Sequence, residues 1–355
     1  MKKLLAILVV FALFASTAFA ADVVIGGWGR ADFVPLMVDI PDGGDNTTSS
    51  VTRVSWGGGP ALGANITVDG GEIGFFGSWA FNLDVGGVNL DGKGYVWWQP
   101  LDIFRLSIGR IEEDALRGGF GPESWAGGFC GIGDFGEDLI FNRFNTADAN
   151  YGAVLKLTPI EGLTVGAALQ TNGSGGEEIG DVFKNGQYGL GYDIAGIGFA
   201  RFGYFGGAKK IQVAFKLTAV ENVGLDFGFT YFTDPDLADA DDNIIQVVLG
   251  GSVGIGDINV WFGVNGLFGG DKDKGHPGIL QFGVNPEFAL GDIGNVGLGF
   301  YIKFAFVDDA KADLGFDLYL KKGYGSGQLK VGVAAAIAGS GDVKIAVPIE
   351  IEYWF

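Results

Sequence analysis

Apolar and polar residues alternate along most of this chain, most cleanly at its end. Val343, Ile345, Val347, Ile349, Ile351, Tyr353 and Phe355 take every second position, with Lys344, Ala346, Pro348, Glu350, Glu352 and Trp354 between them. Successive side chains of a strand point to opposite faces, so one face is wholly apolar and the other carries the charge. The run is long: it exceeds the about 5 to 6 residues of a strand in a water-soluble sheet and matches the about 9 to 11 of a tilted strand crossing a bilayer.

The same alternation recurs upstream and predicts an all-β chain, a transmembrane antiparallel up-and-down β-barrel of about eighteen strands, with sixteen as the alternative count. The first strand is expected over 22–36. The second, after the polar loop PDGGDNTTSS, places Trp56, Leu62, Ile66 and Val68 outward and Arg53, Asn65 and Thr67 inward. The third places Ile73, Phe75 and Trp79 outward, with Glu72, Ser78 and Asn82 inward, and VGGVNLDG is read as the loop that follows. Short connections such as AGIG, GIGD and GDIGN alternate with longer, more acidic ones such as TNGSGGEEIGDVFKN, TDPDLADADDN and GGDKDKGHPG. Turns on one side of a membrane and loops on the other give this alternation, and an even strand number puts both chain ends on the short-turn side.

The pattern predicts inward positions for Arg53, Arg105, Lys156, Arg201, Lys216, Lys303, Lys330 and Lys344, together with Glu72, Asp226, Glu287, Asp313, Asp317, Glu350 and Glu352. An Arg or Lys on the lipid face at the midplane costs ~2 to 4 kcal/mol, so a barrel requires this register. Trp28, Trp56, Tyr188, Tyr204, Tyr231 and Tyr353 lie near strand ends, as aromatic girdles at the two membrane interfaces do.

The first twenty residues have another pattern: Lys2 and Lys3, an apolar run over 4–14, then Ala18-Phe19-Ala20. This fits a secretory signal expected to be cleaved before Ala21 better than a signal-anchor helix, its core being shorter than the ~20 residues a span needs. Residues 21–355 are then expected to form one barrel. With such a signal upstream, Ile349, Ile351, Tyr353 and the terminal Phe355 resemble the C-terminal signature of bacterial outer-membrane β-barrels, which the assembly machinery reads. The resemblance implies the outer membrane of a diderm bacterium, with a lipopolysaccharide-type outer leaflet around the barrel.

Alternation lapses over 110–150, after the fifth strand. The segment carries Glu112, Glu113, Asp114, Glu123, Asp134, Glu137 and Asp138 against Arg110, Arg117 and Arg143. Its position resembles the porin family, whose third loop folds into the lumen and narrows the pore, and whose members are often trimers. Folding inward and covering the mouth as a surface loop both fit the residues. Loops this long in ordered domains are usually functional.

Composition removes other classes. The formal charge of −19 excludes nucleic acid, because phosphate contacts need a basic face. Cys130 and His276 are the only residues of their kinds, so no internal disulfide forms, and no metal site, cofactor or catalytic residue is expected. Gly131 to Gly136, GIGDFG, matches G-x-G-x-x-G without a βαβ unit around it, and His276 has no accompanying nucleophile motif. The expected function is that of an outer-membrane porin passing small hydrophilic solutes, with a weak cation preference from its acidic outer loops. The alternative is a surface adhesin or envelope anchor whose pore is closed by 110–150.

Overall fold

A strand with one apolar and one charged face still exposes unpaired N–H and C=O groups along both edges, and a bilayer offers them no water. Closing the sheet into a ring satisfies all of them. The computed structural model describes residues 21–53, 61–84, 87–113, 144–145, 151–171, 176, 178–233, 245–269, 278–307 and 309–355.

The strands are β1 (Asp22–Ile40), β2 (Thr47–Arg53), β3 (Ala61–Asp69), β4 (Ile73–Asp84), β5 (Gly87–Leu101), β6 (Phe104–Arg110), the two-residue β7 (Glu112–Glu113) and β8 (Phe144–Asn145), β9 (Tyr151–Ile160) and β10 (Leu163–Thr171). A one-turn helix α1 (Ile179–Lys184) lies in the next connection. There follow β11 (Gln187–Ile194), β12 (Gly198–Phe205), β13 (Lys210–Leu217), β14 (Val223–Phe232), β15 (Ile245–Ile255), β16 (Ile258–Phe268), β17 (Ile279–Ala289), β18 (Asn295–Ala305), β19 (Asp313–Tyr324), β20 (Gly327–Ile337) and β21 (Val343–Trp354). Each barrel strand pairs antiparallel with the next, β6 pairs with β9, and β1 pairs with both β3 and β21. Among the described residues this is a closed ring of eighteen strands.

Strand β1 is longer than expected. Its first half pairs with β3, from Asp22 opposite Asp69 to Arg30 opposite Ala61, and its second half pairs with β2, from Asp32 opposite Arg53 to Asp39 opposite Thr47. Thr47 to Ser50 therefore belong to a strand and not to the predicted loop, because the extended β1 edge supplies partners for their backbone. Similarly, β5 starts at Gly87, so most of the predicted VGGVNLDG loop is ladder opposite β4.

The β1–β21 seam is pinned at several points. Both ladders of β1 shift register around Pro35, whose missing N–H makes a bulge the natural outcome. On the short-turn side Gly27 and Phe355 exchange backbone hydrogen bonds of 2.8 and 2.9 Å. On the long-loop side the Asp42 N–H donates to Asp342 Oδ1 at 2.8 Å and the Ser340 hydroxyl to Oδ2, which together hold the Asp342 carboxyl below its usual range.

The two faces separate as alternation requires. Phe282, Val284, Leu298, Phe300, Phe316 and Leu318 point outward and are exposed, while Gln281, Asn285, Tyr301, Asp317 and Tyr319 between them are buried on the inner side. Such a continuous apolar exterior is what hydrocarbon covers. Outward Tyr188, Tyr204 and Tyr231 fall in one row through Ile211, forming an aromatic band at the long-loop end. Trp28 does not join a girdle. It shares the inner face with Arg30, and its indole lies across Gly63, the one residue type that leaves room for it there. Trp56 lies outside the described residues.

Candidate functional site

The lumen wall carries the chemistry, in two arcs. In the first, β17 to β21 and β1, alternate residues point inward and adjacent strands bring acids and bases together. Glu287 accepts two bonds from the Lys321 ammonium, at 2.5 and 2.6 Å, and one from the Tyr319 hydroxyl at 2.7 Å. Tyr319 also lies 2.9 Å from the Asn285 amide, and the Lys330 ammonium sits 4.1 Å above its ring. The Tyr301 hydroxyl donates to Asp317 at 2.9 Å. Across the seam, Arg30 spans Glu350 at 2.5 Å and Glu352 at 2.7 Å, and Gln328 donates to Glu352. The Tyr319 ring lies where a side chain on Gly297 would be, so that glycine is a packing requirement.

In the second arc, β6 to β14, cations lie on aromatic rings. Arg105 stacks 4.4 Å above Trp97, and Arg201 lies 4.6 Å above Phe199 while binding Asp193 at 2.9 Å. Lys210 sits between Phe205 and Phe232, and Lys216 pairs with Asp226 at 3.5 Å. Lumen-facing cations of this arc, Arg105, Lys156, Arg201, Lys210 and Lys216, outnumber Asp193 and Asp226. In the first arc the order reverses: Asp32, Asp39, Glu287, Asp313, Asp317, Glu350 and Glu352 outnumber Arg30, Lys303, Lys321, Lys330 and Lys344. Closure of the ring sets the two arcs opposite each other, and the resulting field runs across the lumen. Between them β15 and β16 form a neutral stretch, in which Gln246 donates to Asn265 and Asn265 to Gln281 of β17, and at the near end of the second arc Gln212 donates to Thr230.

Of the predicted wall residues, Arg105, Lys156, Lys216, Lys303, Lys330 and Lys344 lie on the inner face. Arg53 pairs with Asp32 in the β1–β2 ladder. Glu72 is a correction: it sits exposed in the β3–β4 turn, because the ladder starts only at Ile73. Glu112 and Glu113 pair with Asn145 and Phe144 in the small β7–β8 ladder, while Asp114, Glu123, Asp134, Glu137 and Asp138 lie outside the described residues. Ile349, Ile351 and Tyr353 face outward on β21, and Phe355 stacks on Tyr353.

Sequence reasoning missed Ile111. It is fully buried and packs with Val154, Ala168 and Phe205, against which Tyr95 also rests. All of these are inner-face residues, so Ile111 keeps the inward register of Arg105 and Ser107 past the end of β6. A signal existed: apolar residues at inward positions of β9, β10 and β12 break the polar-inside rule and need an apolar partner within the lumen. Arg30, Lys210, Lys321, Tyr301 and Tyr319 were also overlooked, although each keeps the parity of inward residues on its strand.

No protein-family model and no curated protein matches this sequence. Solved structures do resemble it. OpdL of Pseudomonas aeruginosa aligns with a TM-score of 0.56 at 13% identity, over 94% of this chain and 99% of that chain. OpdQ of Pseudomonas aeruginosa aligns with 0.57 at 10%, over 94% and 97%. A triple mutant of the Rhodopseudomonas blastica porin aligns with 0.51 at 13%, over 94% and 100%. At these identities the likeness is one of fold, and it extends over nearly the whole of each molecule: the chain has the porin-type barrel fold.

Proposed function

We propose that this barrel is an outer-membrane porin through which small hydrophilic solutes diffuse passively. The observation that carries the reading is a closed ring, apolar outside and charged inside, into which the Ile111 side chain points at the start of 110–150. A barrel of this strand number encloses a lumen wider than side chains alone fill. The acids of 110–150, among them Glu112, Glu113 and Asp114, then narrow the pore from within and stand against the wall cations. The acidic outer connections, such as TDPDLADADDN, concentrate cations at the mouth and give a modest cation preference. Residues 1–20 serve as the export signal, and Ile349, Ile351, Tyr353 and Phe355 as the assembly signal.

The test is single-channel recording of the refolded mature protein in planar bilayers under a KCl gradient. Discrete open steps with a reversal potential on the cation side are expected. A correctly folded barrel that never conducts overturns the reading.

A further inference from the structure

The short-turn mouth of the barrel contains an aromatic surface that the wall leaves uncovered. Trp354 has the inward register of Glu350 and Glu352 and is 46% exposed, whereas inward Trp97 is 4% exposed beneath Arg105, and Tyr301 and Tyr319 are 3% and 4% exposed. Among the described residues no ring or cation lies on the Trp354 indole.

This indole borders a cavity of about 840 Å³ between the β17–β18 turn and the β19–β20 turn. That volume falls in the range of about 300 to 1,000 Å³ typical of small-molecule sites. Glycines keep it open: Gly291 and Gly325 have φ of +57° and +59° with free space where a side chain would stand. Asp292, Asn295, Ser326 and Gln328 supply polar groups around the indole. Lys321 is neutralised by Glu287, and the charge of Lys322, whose ammonium donates to the Asp292 carbonyl at 2.7 Å, is balanced by the Asp292 carboxylate, so the cavity carries no net charge. A flat apolar face edged by amide, hydroxyl and carboxylate groups matches one ligand class, a pyranose ring, whose C–H face packs on an aromatic and whose rim of hydroxyls both donates and accepts.

We infer that this mouth binds saccharides, with Trp354 as the platform and Asn295 among the hydroxyl-reading groups. The inference deepens the porin reading and rests on it for one of two sources, a solute crossing the pore; the other is cell-wall glycan on the same side.

The test has two arms on the refolded full-length mature chain. In planar bilayers, maltotriose and chitotriose are added to one side or the other of oriented channels. Current interruptions are expected on addition from the short-turn side, with apparent affinity about tenfold weaker in Trp354→Ala, the equivalent of 1.4 kcal/mol. Asn295→Ala, away from the terminal strand, gives the same loss should Trp354→Ala fail to assemble. In detergent, co-sedimentation with isolated peptidoglycan sacculi is measured for the same proteins. Interruptions sensitive to both variants assign a pore solute, and variant-sensitive sedimentation assigns cell-wall glycan. A conducting channel that shows neither overturns the saccharide site and leaves the porin reading standing. A folded barrel without conductance overturns the porin reading, and the sedimentation arm still decides the site.

Discussion

At the residue scale, single atoms decide what the inner wall tolerates. A Cβ on Gly297 overlaps the Tyr319 ring, whose hydroxyl is committed to Glu287, so the ring has no free rotamer to retreat to. Gly297→Ala is expected to destabilise the barrel by about 1 to 3 kcal/mol in urea unfolding from lipid vesicles. Gly180, in the exposed helix α1 with nothing within 4 Å of its missing side chain, is the control, and Gly180→Ala is expected to change stability by less than about 0.5 kcal/mol. Arg30 neutralises two carboxylates at once. Arg30→Ala releases both Glu350 and Glu352 into the lumen, so the KCl-gradient reversal potential moves toward the cation limit, and Arg30→Lys moves it less. These pairings were not legible beforehand. Glu350 and Glu352 stood out as inward acids of the last strand, but their partner lies 320 residues away from Glu350 in sequence.

At the element scale, alternation carries the prediction as far as strands run regularly. Strand β21 was readable in full because every second residue from Val343 to Phe355 is apolar. The outward residues of β19 alternate in the same way, so Leu318→Arg, which sets a charge against hydrocarbon, is expected to cost ~2 to 4 kcal/mol in the same unfolding measurement. Phe355→Ala removes the ring that lies over Gly27 and stacks on Tyr353 at the seam. The yield of barrel that migrates as folded in unheated gels is expected to fall, while the charge pattern of the lumen is unchanged. The β1–β2 ladder escaped sequence reasoning because TTSS is polar on both faces, and only the overhanging edge of β1 makes it a strand. Trp28 escaped for a related reason: aromatic type points to an interface, but register with Gly63 turns the ring inward.

At the scale of the whole molecule, the opposed arcs set a field across the lumen, and the proposed cation preference adds a second one from the acidic outer connections. Salt screens charges in water, and the Debye length falls from about 10 Å at 0.1 M to about 3 Å at 1 M. The proposed cation selectivity, measured at a fixed concentration ratio, is therefore expected to weaken as both baths are raised through that range. A selectivity that stays constant would place its origin in the paired charges of the wall, which salt screens less.

The strand class, the polarity of the two faces and the alternation of short with long connections belong to the sequence alone, because each is a local repeat of two residues or of one hairpin. Tertiary structure alone decided which charges meet, that basic and acidic arcs face each other, and that Ile111 packs on Val154, Ala168 and Phe205. Those relations exist only once β1 has paired with β21, since closing a ring brings together side chains whose separation along the chain carries no trace of their contact.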